Sequence, residues 1–576
     1  MKSRIAAVVG IAALLLTVGV LGFKKDDREY KISKNMDIFF SVYKELQTFY
    51  VDEPDPDELI PVAIDEMLST LDPYTTYIPE KEKEAYNFQI NGEYGGVGSV
   101  IQLCPDTDLI QVKEVYKGTP SAKVGLRAGD RFLTIDGESM RGKNVSEVSG
   151  KLRGKAGDKL EVEIERPGVT KPMQVEITRE VIKIDAVDYY GMLDKETGYI
   201  SLRGFETDCA EAVKEAFLEL RDKRGAKRMI LDLRSNPGGL LNEALDIVNL
   251  FVAKNSRTLS THGRQRSMDR TYYATSDPID TVMPLAVMIN RGSASASEIV
   301  SGALQDLDRA VIVGQRSFGK GLVQATREVA HDGLLKVTTS KYYTPSGRCI
   351  QAIDYSHKSS KGDVTLIPDS LIQEFKTRHG RTVFDGGGIS PDVVLEGKNY
   401  APVTYSIVAN DYAFRYVLNL QLNGKTLSTD AEGHMTDAGF DDFISYMKTQ
   451  KKFTYKNRTL DACNAMIAMA KKEGQYEANA EQLEKMAEQL KPDLERDARA
   501  AADEIKQQIE VESVRMREYK RAAIGHSLQY DDQIKGAVEL LKDEQRCKGL
   551  LDGSVASHAG DKRAAKEVQK NTEEDQ

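Results

Sequence analysis

A multidomain α+β chain is what this sequence predicts: a helical N-terminal region, a small strand-rich domain, an α/β core and a C-terminal helical appendage. Three observations predict it. At 576 residues the chain is too long for one hydrophobic core, and about three to four domains follow from length alone. Between Val181 and Glu396 strand and helix patterns alternate, as in an α/β arrangement. From about Ala401 onward the pattern changes to charged amphipathic helices, marked by Leu483, Met486, Leu490, Leu494 and the Ile505/Ile509 spacing and broken at Pro492.

Taken in order, the elements are justified as follows. Lys2 and Arg4 precede an apolar run from Ile5 to Phe23, and Lys24 to Glu29 is sharply charged, which reads as an export signal. The run has 19 residues, enough to cross a bilayer, and no A-x-A precedes the charges. An uncleaved signal anchor is therefore favoured over a removed peptide. With no cysteine near it, a lipidated N-terminus is disfavoured. Tyr30 to Phe88 reads as amphipathic helices around the turn Val51 to Asp57. Y-G-G-V-G-S-V at residues 94–100 opens a run of short strand patterns, followed by G-T-P-S-A-K-V-G-L-R-A-G-D-R-F-L-T-I-D-G at Gly118 to Gly137. The polar stretch Ala559 to Gln576 is predicted disordered. The regions so drawn are 1–25, 26–88, 89–180, 181–400 and 401–576.

Chemistry concentrates between Asn290 and Gln324. N-R-G-S-A-S-A-S-E-I places serines in a small-residue turn, and S-F-G-K-G-L-V-Q follows one element later. A serine hydroxyl is a poor nucleophile until a base takes its proton, and a desolvated lysine can be that base. Gly292, Ala294 and Ala296 leave the backbone uncrowded around Ser295. Glu298 to Leu304 reads as an apolar-faced helix whose N-terminus would present N–H groups to an oxyanion. On residues alone Ser293 and Ser297 are equal candidates, and Ser/Ala runs at helix starts also serve as caps. Gly314 to Lys320 satisfies G-x-x-x-x-G-K, but Gly321 stands where a phosphate loop needs Ser or Thr, and Leu322 to Val329 looks like a strand rather than a helix. Met229 to Leu233 reads as a short apolar strand ending in R-S-N-P-G-G before the helical pattern of Leu240 to Phe251. That loop is either an ordinary Pro-Gly turn or a set of backbone donors.

G-S-A-S-A-S-E followed by F-G-K-G-L-V-Q resembles the carboxyl-terminal processing proteases, the tail-specific serine peptidases of family S41 that use a Ser/Lys dyad. The resemblance implies Ser295 as nucleophile, Lys320 as base 25 residues later and Gln324 four residues further on to orient the lysine. It implies the amides of Gly238 and Ala296 as oxyanion donors. Gly118 to Gly137 resembles a PDZ domain, whose loop Gly96, Val97, Gly98 and Ser99 would offer N–H groups to the carboxylate of a chain end added as a strand. L-D-P-Y-T-T-Y-I-P at Leu71 to Pro79 resembles the N-terminal helical region of these proteases, which often mediates dimerisation in relatives. Y-Y-T-P-S-G-R-C-I at Tyr342 to Ile350 and G-G-I-S-P-D at Gly387 to Asp392 continue the likeness, which covers about two thirds of the chain. The expected function is an extracytoplasmic bacterial serine endopeptidase, anchored to the cytoplasmic membrane through residues 5–23, that takes protein chains or C-terminal tails. A homodimer and an adaptor protein are further candidate partners. The competing reading is a periplasmic PDZ scaffold whose protease domain is latent or inactive.

Composition excludes other classes. A formal net charge of −10 without a concentrated basic stripe argues against nucleic acid. Seven scattered histidines, with no H-E-x-x-H and no paired C-x-x-C, imply no metal, and no cofactor is called for. Cys104, Cys209, Cys349, Cys463 and Cys547 are spread over separate regions and read as free thiols. A Ser-His-Asp triad would have to use His331, in the turn-like H-D-G, a poor place for a packed base.

Overall fold

In the computed structural model, residues 27–562 are described apart from 106, 357–363 and 369. The apolar run 5–23 expected to act as an anchor lies outside the described residues, as does the tail beyond 562. The chain divides into two units, one running to Tyr77 with Arg327–Val337, the other made of Ile78–Thr326 and Thr338 onward.

The first unit is helical over 27–49 and over Pro56–Ser69. Asp55 caps the second helix by accepting from the Asp57 N–H at 2.8 Å, with Pro56 in the first turn, where its missing N–H costs nothing. The L-D-P turn is closed by Asp72, whose carboxylate accepts the backbone N–H groups of Tyr74 and Thr75, both at 2.8 Å. On helix 27–49, Met36, Phe39 and Phe40 remain 61%, 49% and 66% exposed.

The second unit is built on a six-stranded sheet. Its strands are β1 (Val187–Met192), β2 (Thr197–Leu202), β3 (Arg228–Asp232), β4 (Leu285–Ile289), β5 (Val311–Gly314) and β6 (Val393–Val394). They lie in that spatial order, β1 antiparallel to β2 and the rest parallel. Because successive side chains point to opposite faces, each apolar strand serves two cores at once. Leu202, Met229, Leu231, Val287 and Ile312 pack with the helices α1 (Cys209–Leu218), α2 (Leu241–Phe251) and α3 (Ala296–Asp306). Their neighbours Tyr199, Ile230, Ala286, Met288, Val311 and Val313 pack with Ile534, Ala537, Val538, Leu541 and Leu550. Those residues belong to α4 (Asp532–Lys542) and α5 (Glu544–Asp552), near the far end of the chain.

Helix α3 departs from the expected apolar-faced pattern, since it is buried on every side, polar residues included. Its polar groups find partners inside. Ser301 Oγ donates to the Ser297 carbonyl (2.8 Å), Gln305 Nε2 to the Ser390 carbonyl (3.0 Å), and Asp306 takes the guanidinium of the buried Arg348 (2.8 Å). A second sheet pairs Arg257–Gly263 with Arg270–Tyr273 and with the end of Leu334–Tyr343, Ser260 facing Tyr343. Leu322–Glu328 is a strand of that sheet.

The region that resembles a PDZ domain is an antiparallel sheet in the order Ser99–Leu103, Ile110–Val115, Arg131–Ile135, Lys159–Glu165 and Met173–Thr178, with Glu138–Ser139 paired to the third strand. Ile110, Val112, Phe132, Val148, Leu160, Val162, Ile164 and Ile177 form its core. The ribbon of Glu93–Gly96 against Glu180–Lys183 connects it to β1.

From Pro402 to Ser527 the chain is helical around Val403, Ile407, Tyr416, Phe440, Phe443, Met447, Ile505 and Ile509. Pro492 falls in the break between Tyr476–Gln489 and Leu494–Ala500. The long helix Ala502–Ser527 is kinked at Tyr519, whose φ of 69° is left-handed. Before the kink Arg515 pairs with Glu114 of the strand Ile110–Val115 at 3.6 Å; after it Lys520 pairs with Asp188 of β1 at 3.2 Å. The tail does not loosen at Ala559 as expected, because Ser557 Oγ donates to Asp392 at 2.8 Å and Ala559 is 2% exposed in the turn His558–Gly560. All five cysteines are free, four of them buried and Cys349 half-buried.

Candidate active site

The parallel strands β3, β4 and β5 run side by side and all release loops at the same edge, so three distant sequence segments converge there. After β4 the chain turns through Asn290–Ser295 into α3. Ser293 and Ser297, both fully buried, commit their hydroxyls to packing: Ser293 Oγ donates to the Leu233 carbonyl at 2.7 Å and Ser297 Oγ to the Asn236 carbonyl at 2.9 Å. Ser295 stands between them, half-buried, at the N-cap of α3 with φ 55° and ψ −111°. That backbone is costly for a residue with a Cβ, and such strain persists only where surrounding structure over-determines it.

The loop after β3 supplies that structure. Asn236 is fully buried; its carbonyl accepts the Ala294 N–H at 3.0 Å as well as the Ser297 hydroxyl, and its side chain donates to the Leu202 carbonyl at 2.8 Å. Gly238 has φ 101°, and a Cβ on it would come within 2.8 Å of the Ser295 Cβ and 2.9 Å of the Ala296 nitrogen. Only glycine allows this approach. The two expected oxyanion donors thus lie together beside Ser295. The Gly238 N–H, however, donates to Asn236 Oδ1 at 2.9 Å, so it must change partner to meet a substrate oxygen.

The third segment is the loop after β5. Glu298, at the third position of α3 and fully buried, receives four donors: Ser317 Oγ at 2.5 Å, Gly319 N at 2.7 Å, Lys320 N at 2.9 Å and Ser295 N at 2.9 Å. Burial pushes its carboxyl up to about 7, and these hydrogen bonds oppose the rise. Tyr342, also fully buried, donates its hydroxyl to the Lys320 carbonyl (2.7 Å) and the Ser295 carbonyl (3.2 Å), and burial raises its phenol well above the ordinary range. Glu298 on the amide side and Tyr342 on the carbonyl side therefore bridge the backbones of Ser295 and Lys320. Gln324 follows on the strand Leu322–Glu328, its Nε2 donating to Thr338 Oγ1 at 3.1 Å.

Neither bridging residue was singled out from sequence. Ser295-x-x-Glu298 is the spacing in which a helix's third residue reaches back to its N-cap amide, so Glu298 carried a local signal. Tyr342 carried none, because its partners lie 22 and 47 residues away. His331 sits in a left-handed turn with φ 55°.

In the PDZ-like region Gly96 ends one strand and Ser99 begins the next, the edge strand of the sheet. Between them Val97 is buried and Gly98, at φ 75°, packs so closely on Thr119 that a Cβ would come within 2.4 Å of it. The Val97 carbonyl accepts from Ser121 N at 2.9 Å and the Gly98 carbonyl from Tyr116 N at 3.0 Å, which fixes the loop beside the open strand edge.

Comparison with known proteins agrees with this architecture. Peptidase family S41 matches residues 196–357, a PDZ domain matches 111–166, and the C-terminal helical domain of PDZ-proteases matches 403–541. The carboxy-terminal-processing protease of Bartonella bacilliformis is 37% identical over 330 residues, 57% of this chain and 75% of that protein. A CtpA-like serine protease of Staphylococcus aureus is 34% identical over 368 residues, 63% of this chain and 70% of that one. The solved photosystem II D1 C-terminal processing protease covers 62% of this chain and 86% of its own at 28% identity, with a TM-score of 0.34. With an S41 core, a PDZ domain and the helical domain found after it in such enzymes, the chain belongs to the carboxy-terminal-processing proteases of peptidase family S41.

Proposed function

We propose that the protein is an exported serine endopeptidase that captures protein chains or C-terminal tails through its PDZ domain and cleaves them with a Ser295/Lys320 dyad. Ser295 Oγ attacks the scissile carbonyl carbon while Lys320 takes its proton. The amides of Gly238 and Ala296 receive the oxyanion, and Lys320 returns the proton to the leaving amine. A water deprotonated by the same lysine then releases the acyl group from Ser295. Gln324 orients the lysine. Gly96, Val97, Gly98 and Ser99 are the loop offered to a substrate carboxylate. The observation that carries this reading is the double bridge: Glu298 and Tyr342 hold the backbones of Ser295 and Lys320 together, which supports a pairing of the two residues in catalysis.

The charge-and-apolar pattern of residues 1–29 supports an extracytoplasmic location in the bacterial envelope with residues 5–23 as anchor. Among the described residues no helix is long and apolar enough to cross a membrane. The apolar side chains exposed on helix 27–49 support a homodimer. An adaptor protein would act by delivering substrates to the PDZ domain.

A second reading, a latent PDZ scaffold, is favoured by the bond between the Gly238 N–H and Asn236 Oδ1, which occupies an oxyanion donor. One experiment separates the two. The chain from about Asp26 onward is incubated with casein beside its Ser295→Ala variant, and fragments are followed by mass spectrometry. Cleavage by the parent alone supports the peptidase and its nucleophile. Retention of tailed peptides without shortening supports the scaffold, and equal cleavage by both removes Ser295 from the mechanism.

A further inference from the structure

The oxyanion loop is pinned at three places. Two lie within the protease core: the Ser235 N–H donates to Asn290 Oδ1 at 2.8 Å, and Asn236 bonds Leu202, Ala294 and Ser297. The third is Arg234, the second residue after β3. Its guanidinium meets both oxygens of the buried Asp232, with the closest contact at 2.6 Å, and Asp232 also takes the Tyr199 hydroxyl at 2.8 Å. One arm of Arg234 points away from the core. Its Nη1 meets Gln533 Oε1 at 2.7 Å and Asp531 Oδ2 at 2.8 Å, some 299 residues along the chain.

Asp531 is the N-cap of α4, accepting from the Ile534 N–H at 3.1 Å, so the helix start and the loop share one carboxylate. Gln533 does more. Its Nε2 donates to the Leu395 carbonyl at 2.5 Å, and the Leu395 N–H donates in turn to the carbonyl of Gly314, the residue from which the lysine loop departs. A single carboxamide, 8% exposed, therefore spans from the loop carrying Gly238 to the strand beside the loop carrying Lys320. The amide's orientation is dictated by its neighbours, since a guanidinium can only donate and a carbonyl only accept.

We propose that Gln533 and Asp531, residues of the C-terminal helical region, are positioning residues for peptide hydrolysis: through Arg234 they hold the oxyanion loop against the nucleophile's turn, and through Leu395 Gln533 keeps that loop in register with the lysine loop. This rests on the Ser295/Lys320 reading above. It assigns the C-terminal region a part in the active site in addition to its packing role. Neither residue touches substrate; both act through Arg234. The scheme requires that their loss loosen the 234–239 loop while leaving the apolar underside of α4, formed by Ile534, Ala537, Val538 and Leu541, seated on the sheet.

The test uses the chain from about Asp26 onward as parent, Gln533→Met, which keeps the volume and removes both hydrogen bonds, and Asp531→Asn, which keeps a capping side chain and removes the charge. Hydrogen exchange read by mass spectrometry follows the segments 234–240 and 532–542, and steady-state cleavage of a fluorogenic peptide gives kcat and KM. Expected for Gln533→Met is about tenfold faster exchange at 234–240, unchanged protection of 532–542, and a kcat about tenfold lower with KM within about twofold. Asp531→Asn should follow in the same direction, by about threefold. Parental exchange at 234–240 in Gln533→Met overturns the inference, and so does loosening of 532–542 together with the loop, which would make the contact a fastening of the helix only. If the parent cleaves nothing while Gln533→Met still loosens the loop, the coupling stands and the hydrolytic reading falls.

Discussion

Replacing Glu298 by Gln asks whether one buried carboxyl group holds Ser295 and Lys320, the proposed nucleophile and base, in register. Oε1 accepts from Ser317 and Gly319, Oε2 from Lys320 and Ser295. A carboxamide has a single oxygen. With its NH2 at the Oε1 position it faces Ser317, whose hydroxyl can turn to accept, and Gly319, whose N–H then lacks an acceptor. The opposite orientation sets the NH2 against two backbone donors. The better orientation thus leaves one buried N–H unsatisfied, at about 1–3 kcal/mol. If the lysine loop shifts to relieve it, kcat falls by about 5- to 150-fold with KM near the parental value. Stability carries a second signature. The folded carboxyl titrates at about 7, above the ordinary 4.5, so its stabilisation is complete below about pH 4.5 and is lost as pH rises through 7. Between about pH 5 and about pH 8 the parent should therefore lose roughly 2–3 kcal/mol that Glu298→Gln does not. Urea unfolding at both pH values, together with kcat and KM on a fluorogenic peptide, checks both. A variant with parental kcat would refute the register argument, and matched pH dependence would refute the upward shift of the buried Glu298 carboxyl.

Gly238→Ala should lower kcat by about 10²-fold or more, because its Cβ would meet Ser295 at 2.8 Å and displace the amide proposed as an oxyanion donor; single-turnover acylation kinetics read this directly. Tyr342→Phe removes the donor to the Ser295 and Lys320 carbonyls and should reduce kcat about tenfold at little change in KM, measured on the same peptide. Leu541→Ala, 1% exposed beneath the sheet, should cost about 2–5 kcal/mol in urea unfolding while leaving the PDZ domain's affinity for a tailed peptide unchanged in a titration.

Local patterns made the strands, α3 and the two loops legible in sequence, because side-chain alternation, glycine turns and the serine and lysine motifs are short-range statements. Leu231 and Ile230 illustrate the limit. Their alternation reveals a strand buried on both faces, yet nothing local says that the second face waits for Ile534 and Leu541. Glu298 was marked by its spacing from Ser295, although its bonds to Gly319 and Lys320 depend on where a later loop returns. Tyr342, Asp531 and Gln533 acquire their roles only through contacts made in three dimensions. Ala559 was misread for the same reason, since a polar neighbourhood conceals one residue that packs. The helical region after Ala401 was legible as helices, but its division between a cluster of its own and the cover of the protease sheet was not.

That cover has a consequence for how the protein comes into being. The strands around Ser295 leave the ribosome more than two hundred residues ahead of α4. Until α4 arrives, Tyr199, Ile230, Met288 and Val313 lack the cover of Ile534, Ala537, Val538 and Leu541, and Arg234 lacks two of its partners. Contacts closed over so long a loop form late. A chain that has not yet made α4 therefore has an uncovered sheet face and needs protection from aggregation. Competence comes with the last folded segment, so a molecule truncated before Asp532 should be inert from the outset.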